Sequence, residues 1–235
     1  MMRKFLFAAA TAGALIGGGA LIAETAAGSP ETDDVAPARS RIVIGLDLSR
    51  SNPLIADPAF AAKVGARVAT IVRGLGFGSE VHVRTFGNYD ATSNTFAYDA
   101  VLSVRNRPAN VAADIQRLIA GTPMLVKSGK WRAQENTNIL AFLDNVSQSI
   151  GCADLPTTIV LASDGVEDSD YASLGHPDSH LPAPQGSPFK GCAEFEILGL
   201  GQGTASPRTT TRLRAEWQGW AHPAGFAHFQ GLNDW

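Results

Sequence analysis

The chain has 235 residues, 45% of them hydrophobic and 17% charged, with 24 glycines and a formal net charge of −3. That length and apolar fraction suit one α/β domain with a sizeable core and exclude a disordered or fibrous chain. The acidic balance argues against nucleic acid as a partner, because phosphate binding needs a basic face.

Arg3 and Lys4 precede an apolar stretch from Phe5 to Ala23 and small residues at Ala26 and Ala27, the order found in a secretory signal peptide. We read residues 1–27 as a leader and expect the mature protein in the periplasm or outside the cell. The apolar stretch is near bilayer-spanning length, so a retained anchor is the alternative, and only then would the protein associate with a membrane. Residues 28–40, small, acidic and proline-containing, read as a linker, leaving 41–235 as the folded domain.

RIVIGLDL (Arg41 to Leu48) is a β-branched run with polar residues only near its edges, the pattern of a parallel strand buried on both faces. Asp57 before Pro58 reads as the N-cap of a first helix. EVHVRTFG (Glu80 to Gly87) and TFAYDAVLSV (Thr95 to Val104) alternate, predicting a strand and an antiparallel partner at the sheet edge. A short helix follows in NVAADIQRLIAG. Thr122 to Gln134 has no clear period, and Ile139, Phe142, Leu143 and Val146 then mark one face of another helix, with Thr137 at its entrance.

TTIVLASDG (Thr157 to Gly165) is a second buried strand, followed by a long loop rich in Pro, Gly and His to about Gly191. EFEILGLG is the next strand, RTTTRLRAEWQGWA the last helix, and GFAHFQGL a terminal edge strand. This order predicts an α/β fold: a doubly wound, mostly parallel open sheet with one antiparallel edge strand and helices on both faces. The two cysteines, Cys152 and Cys192, are expected to pair in an oxidising compartment; two buried free thiols are the alternative.

Ligands of such sheets bind beyond the carboxyl ends of the strands. There the sequence places Asp47, Ser49 and Ser51 after the first strand and Asp164 after the later one, with Thr137 opening a helix between them. These are hard oxygen ligands, suited to one divalent cation, Mg²⁺ first, with Mn²⁺ or Ca²⁺ as alternatives. Two carboxylates and three neutral hydroxyls would leave the ion able to accept one more anionic oxygen.

DxSxS at Asp47 to Ser51, the threonine in ENTNI and the SDG after an apolar strand together resemble the metal-ion-dependent adhesion site of von Willebrand factor A domains. The resemblance covers about Arg41 to Leu232. It implies that Ser49, Ser51 and Thr137 offer hydroxyls, that Asp47 and Asp164 bind the ion directly or through water, and that a protein partner's Glu or Asp fills the open position. Asn136 stands where the family has glycine, which puts the Thr137 loop in question. The function expected is a non-enzymatic, cation-dependent protein-binding module.

Other readings predict different properties. The five residues could merely cap helices and turns, giving a metal-independent scaffold in an envelope complex. A phosphatase of the haloacid dehalogenase type would need a general acid/base two residues after Asp47, where Ser49 stands. His176 and His180 read as exposed loop histidines, Glu167, Asp168 and Asp170 as a solvated acidic run, and Trp217 and Trp220 as core.

Overall fold

A computed structural model describes residues 37–89, 94–204 and 206–235; the leader and most of the linker lie outside them. The strands are β1 (Arg41–Asp47), β2 (Glu80–Phe86), β3 (Ala97–Val101), β4 (Thr157–Ala162), β5 (Cys192–Leu198) and β6 (His228–Leu232). They form one sheet in the order β3-β2-β1-β4-β5-β6, in which only the β2–β3 pairing is antiparallel. This is the doubly wound α/β architecture expected.

The helices are α1 (Pro58–Arg73), α2 (Pro108–Ala120), α3 (Thr122–Lys127), α4 (Ile139–Ser149) and α5 (Pro207–Ala224). Alternation along β1 divides the core. Ile42, Ile44 and Leu46 join the apolar faces of α1 and α2, whereas Val43 joins those of α4 and α5. Every residue of β1 is buried, as a strand covered by helices on both faces must be. Gly45 leaves room for its neighbours: a β-carbon there would lie 2.6 Å from the Leu161 side chain on β4 and 2.9 Å from the Phe142 ring on α4.

Asp57 caps α1 by accepting hydrogen bonds from the backbone N–H groups of Ala59 and Phe60, with Pro58 at the first helical position. α3 occupies part of the stretch expected to be irregular. It is only six residues long and follows α2 after Gly121, so it carries too few turns to show a period. β5 starts at Cys192, two residues earlier than the apolar pattern suggests, and β6 pairs with it in parallel. Leu213, Trp217 and Trp220 on α5 are buried against the sheet, as expected.

Cys152 and Cys192 form a disulfide with a Cα–Cα distance of 5.1 Å across 40 residues of sequence. It joins the loop before β4 to the first residue of β5, at the amino end of the sheet. Arg41 also ties that end together, pairing with Glu80 at 2.7 Å and with both carboxylate oxygens of Asp154. Among the described residues no helix is long and apolar enough to cross a membrane.

Candidate metal centre

The strand order reverses direction between β1 and β4: successive connections lead outward through β2 and β3 on one side and through β5 and β6 on the other. A doubly wound sheet opens a crevice at such a point, beyond the carboxyl ends of the two central strands. Asp47 is the last residue of β1, and Asp164 follows β4 by two residues. Both candidate carboxylates therefore flank the crevice.

Asp47 is fully buried. Its Oδ1 accepts the Ser49 backbone N–H at 2.8 Å, and its Oδ2 accepts the Ser163 hydroxyl at 2.7 Å. Ser163 was missed in the sequence, where it reads as the last residue before the turn. The hydroxyls of Ser49 and Ser51 are 3.4 Å apart, and Ser51 lies near enough to Asp164 to oppose the upward shift of its carboxyl. Asp164 accepts the Val166 N–H at 2.9 Å, so the turn closes on its own carboxylate. Gly165 in that turn has φ of 73°, and a β-carbon there would meet the Leu200 side chain at 2.4 Å. Asp47, Ser49, Ser51 and Asp164 thus lie together.

Asn52 holds the two strand ends together. Its side-chain amide donates to the carbonyls of Asp47 (2.9 Å) and Ala162 (3.0 Å), while its own carbonyl accepts the Leu54 N–H. The only sequence sign of this role is the following Pro53, which makes Asn52 a plausible cap for a short helical turn. The backbone beyond β1 is fixed to a later segment: Gln134 N–H donates to the Leu48 carbonyl, and Arg50 N–H to the Gln134 carbonyl, each at 2.9 Å.

Thr137 lies on that same segment, buried, but it does not cap α4. Asn138 occupies the cap position, and Thr137 pairs through its backbone with Asp168, in both directions at 2.9 and 3.1 Å. This pairing places the Thr137 loop beside the turn that carries Asp164. No hydrogen bond links the Thr137 side chain to the other four candidates.

The exposed acidic run expected after Asp164 is not fully solvated. Glu167 is completely buried, and its Oε2 accepts the N–H groups of Ile139 (2.7 Å) and Leu140 (3.1 Å) at the start of α4. A carboxylate at a helix N-terminus satisfies otherwise unpaired donors and the positive end of the helix dipole. Burial nonetheless pushes its carboxyl up to about 7. Glu167 fixes the Asp164 turn to the Thr137 loop. Replacing it with alanine should cost about 2 kcal/mol, because two buried donors lose their acceptor, and glutamine should recover part of this. Urea denaturation of the three proteins checks that order.

The electrostatics of the centre are unbalanced. Burial, opposed by the bonds from Ser49 and Ser163, pushes the Asp47 carboxyl up to about 6. Burial and then the neighbouring Asp47 push Asp164 up to about 7. Among the described residues no Lys, Arg or His forms an ion pair with either. Two like charges buried side by side require a counter-charge or a proton. The donor set is all oxygen, which fits Mg²⁺, Mn²⁺ or Ca²⁺ and does not fit zinc or copper. Among the described residues no group of three or more His, Cys, Asp or Glu offers a competing centre. His180 is paired with Glu216, and its neighbour His176 is exposed.

No protein-family model and no curated relative matches this sequence. Among solved structures, the chain is similar to the pilus adhesin SpaC of Lactobacillus rhamnosus GG, with TM-score 0.45 and 16% identity over 86% of this chain and 28% of the adhesin. It is also similar to the ArnB paralog VWA2 of Sulfolobus acidocaldarius, at 0.43 and 14% over 85% of this chain and 42% of that one. An aerotolerance-related membrane protein of Bacteroides fragilis gives 0.45 and 15% over 83% and 92%. The chain spans less than half the length of the first two.

Proposed function

We propose that this protein is an extracytoplasmic binding module of the von Willebrand factor A type that engages an acidic side chain of a protein partner through one divalent cation. The observation that carries the reading is the pair of buried carboxylates, Asp47 and Asp164, set at the carboxyl ends of the two central strands, with which no Lys, Arg or His among the described residues forms an ion pair. Asp47, Ser49, Ser51, Thr137 and Asp164 would hold the ion, Mg²⁺ first. When bound, it supplies the missing counter-charge and an electrophilic position open to a further carboxylate.

The residues around the ion set its geometry beforehand. Ser163 and the Ser49 N–H orient the Asp47 carboxylate, Asn52 keeps the strand ends together, and Glu167 holds the Thr137 loop against the Asp164 turn. The proposed role is binding rather than catalysis. The position two residues after Asp47, where a phosphatase of the haloacid dehalogenase type needs an acid/base, is Ser49. The disulfide supports an oxidising location, in the periplasm or outside the cell.

Thermal denaturation tests the ion dependence. A ligand that binds the folded state alone at 100 times its dissociation constant stabilises it by about 2.7 kcal/mol, equivalent to about 5–10 °C for a chain of this size. Mg²⁺ should produce such a shift and EDTA should reverse it. Identical transitions in both would favour the metal-independent scaffold.

A further inference from the structure

We infer that the cation site is one half of a two-point recognition surface, whose second half is a cationic pocket at the end of β1 that receives another acidic side chain of the same partner segment. This rests on the ion reading above and extends it to the chemistry of the partner. The pocket is a cavity of about 260 Å³ lined by Thr85, Thr95, Phe96, Lys130, Trp131 and Arg132, with Leu48 at its inner wall.

Its position is fixed by the backbone. Leu48, which lines the pocket, directly precedes Ser49, and the strand-like pairing of Ser49 with Gln134 places the Lys130–Arg132 stretch alongside the exit of β1. An extended peptide that presents one carboxylate at Ser49 and Ser51 has this pocket within the reach of a few residues.

The chemistry of the lining suits an anion. Lys130 and Arg132 are exposed, and among the described residues neither pairs with an acidic side chain, in contrast to Arg50, which is occupied by Glu135 at 2.7 Å. Lys127 adds a third exposed cation at the end of α3, so the local charge opposes the net charge of −3 carried by the whole chain. Phe96 and Trp131, with ring centroids 5.1 Å apart, form an apolar wall beside these cations. Such a wall lowers the local dielectric and strengthens a charge-assisted hydrogen bond to a carboxylate. Thr85 and Thr95 add hydroxyls. Complementarity of this kind selects a partner segment with two acids over one with a single acid.

The test uses the purified, ¹⁵N-labelled protein and capped glycine peptides carrying one Asp, or one Asp and one Glu separated by one, two or three glycines. Binding is followed by chemical shifts, including the Trp131 indole N–H assigned with Trp131→Phe. In saturating Mg²⁺ the best two-acid peptide should bind about tenfold more tightly than the one-acid peptide and should shift the Trp131 indole. The combined Lys130→Gln and Arg132→Gln substitutions should remove that advantage and leave one-acid binding unchanged. A one-acid peptide that binds only with Mg²⁺, without gain from a second acid at any spacing, would overturn the pocket and leave the ion reading standing. A two-acid preference that persists in EDTA and is lost in the double variant would sustain the pocket and remove the ion reading. No binding by any peptide would overturn both.

Discussion

Asp164→Asn should make the ion-free protein more stable and the ion-binding protein weaker. The substitution keeps the side-chain oxygen that accepts the Val166 N–H and removes only the charge. In the ion-free protein that charge is buried beside Asp47, with its pKa raised from 3.8 to about 7. Because the folded-state value is the higher one, proton uptake favours the folded protein. This stabilisation is fully present below the unfolded-state pKa and is lost as the pH rises through 7. At pH 8 without divalent cations the asparagine variant should therefore gain about 1–2 kcal/mol, or about 3–8 °C in Tm. At pH 5 the gain should be smaller, and below the unfolded-state value of 3.8 it should disappear. Affinity for Mg²⁺ at pH 8 should fall about 100-fold or more, since one of only two charged donors is gone. A capping role alone predicts little change at either pH, because asparagine keeps the acceptor, so melts at the two pH values separate the two roles.

Loss of the disulfide should have the largest effect on stability. The Cys152–Cys192 bond closes a segment of 40 residues that contains β4, the Asp164 turn and the long loop before β5. Cross-linking a loop of that length limits the unfolded chain by about 4 kcal/mol on the entropic account. A paired Cys152→Ala and Cys192→Ala variant should thus unfold roughly 8–15 °C lower than the oxidised protein. Replacing both cysteines avoids a reactive leftover thiol. The long loop stays attached by other means, through burial of Leu174 and Phe189, the pairing of His180 with Glu216, and the Leu181 N–H that donates to the Glu216 carboxylate. The loss should appear as lower global stability, with ion binding retained at temperatures where the variant is folded.

The parts of the fold that the sequence revealed are those decided locally. Ile42, Val43, Ile44 and Leu46 in β1, and Ile159, Val160 and Leu161 in β4, are apolar on both faces because both faces are covered, and such runs are visible without knowing what covers them. Asp57 followed by Pro58 announces α1 by its own capping chemistry. The polar residues at the strand ends were visible for the same reason, since a buried strand that stops at Asp47 or runs into Asp164 places a carboxylate where an open sheet has its crevice.

What stayed hidden depends on partners distant in sequence. Glu167 stands in an acidic run that looks like solvated surface, and only the approach of α4, through Ile139 and Leu140, turns it into a buried cap. Asn52 bridges Asp47 and Ala162, 110 residues apart in the second contact, which no local pattern encodes. Thr137 does stand at the entrance of α4, directly before the cap residue Asn138, but the backbone pairing with Asp168 that fixes its loop has no local sign. In each case the deciding contact is tertiary.

The crevice at the ends of β1 and β4 should bind one divalent cation through Asp47 and its neighbours. Calorimetric titration of Mg²⁺ and Mn²⁺ into the wild-type protein and into Asp47→Ala, with folding of the variant confirmed by circular dichroism, tests it most directly. Saturable binding of one ion per chain is expected in the wild type and none in the folded variant. Absence of binding in the wild type, or equal binding in both proteins, would contradict it.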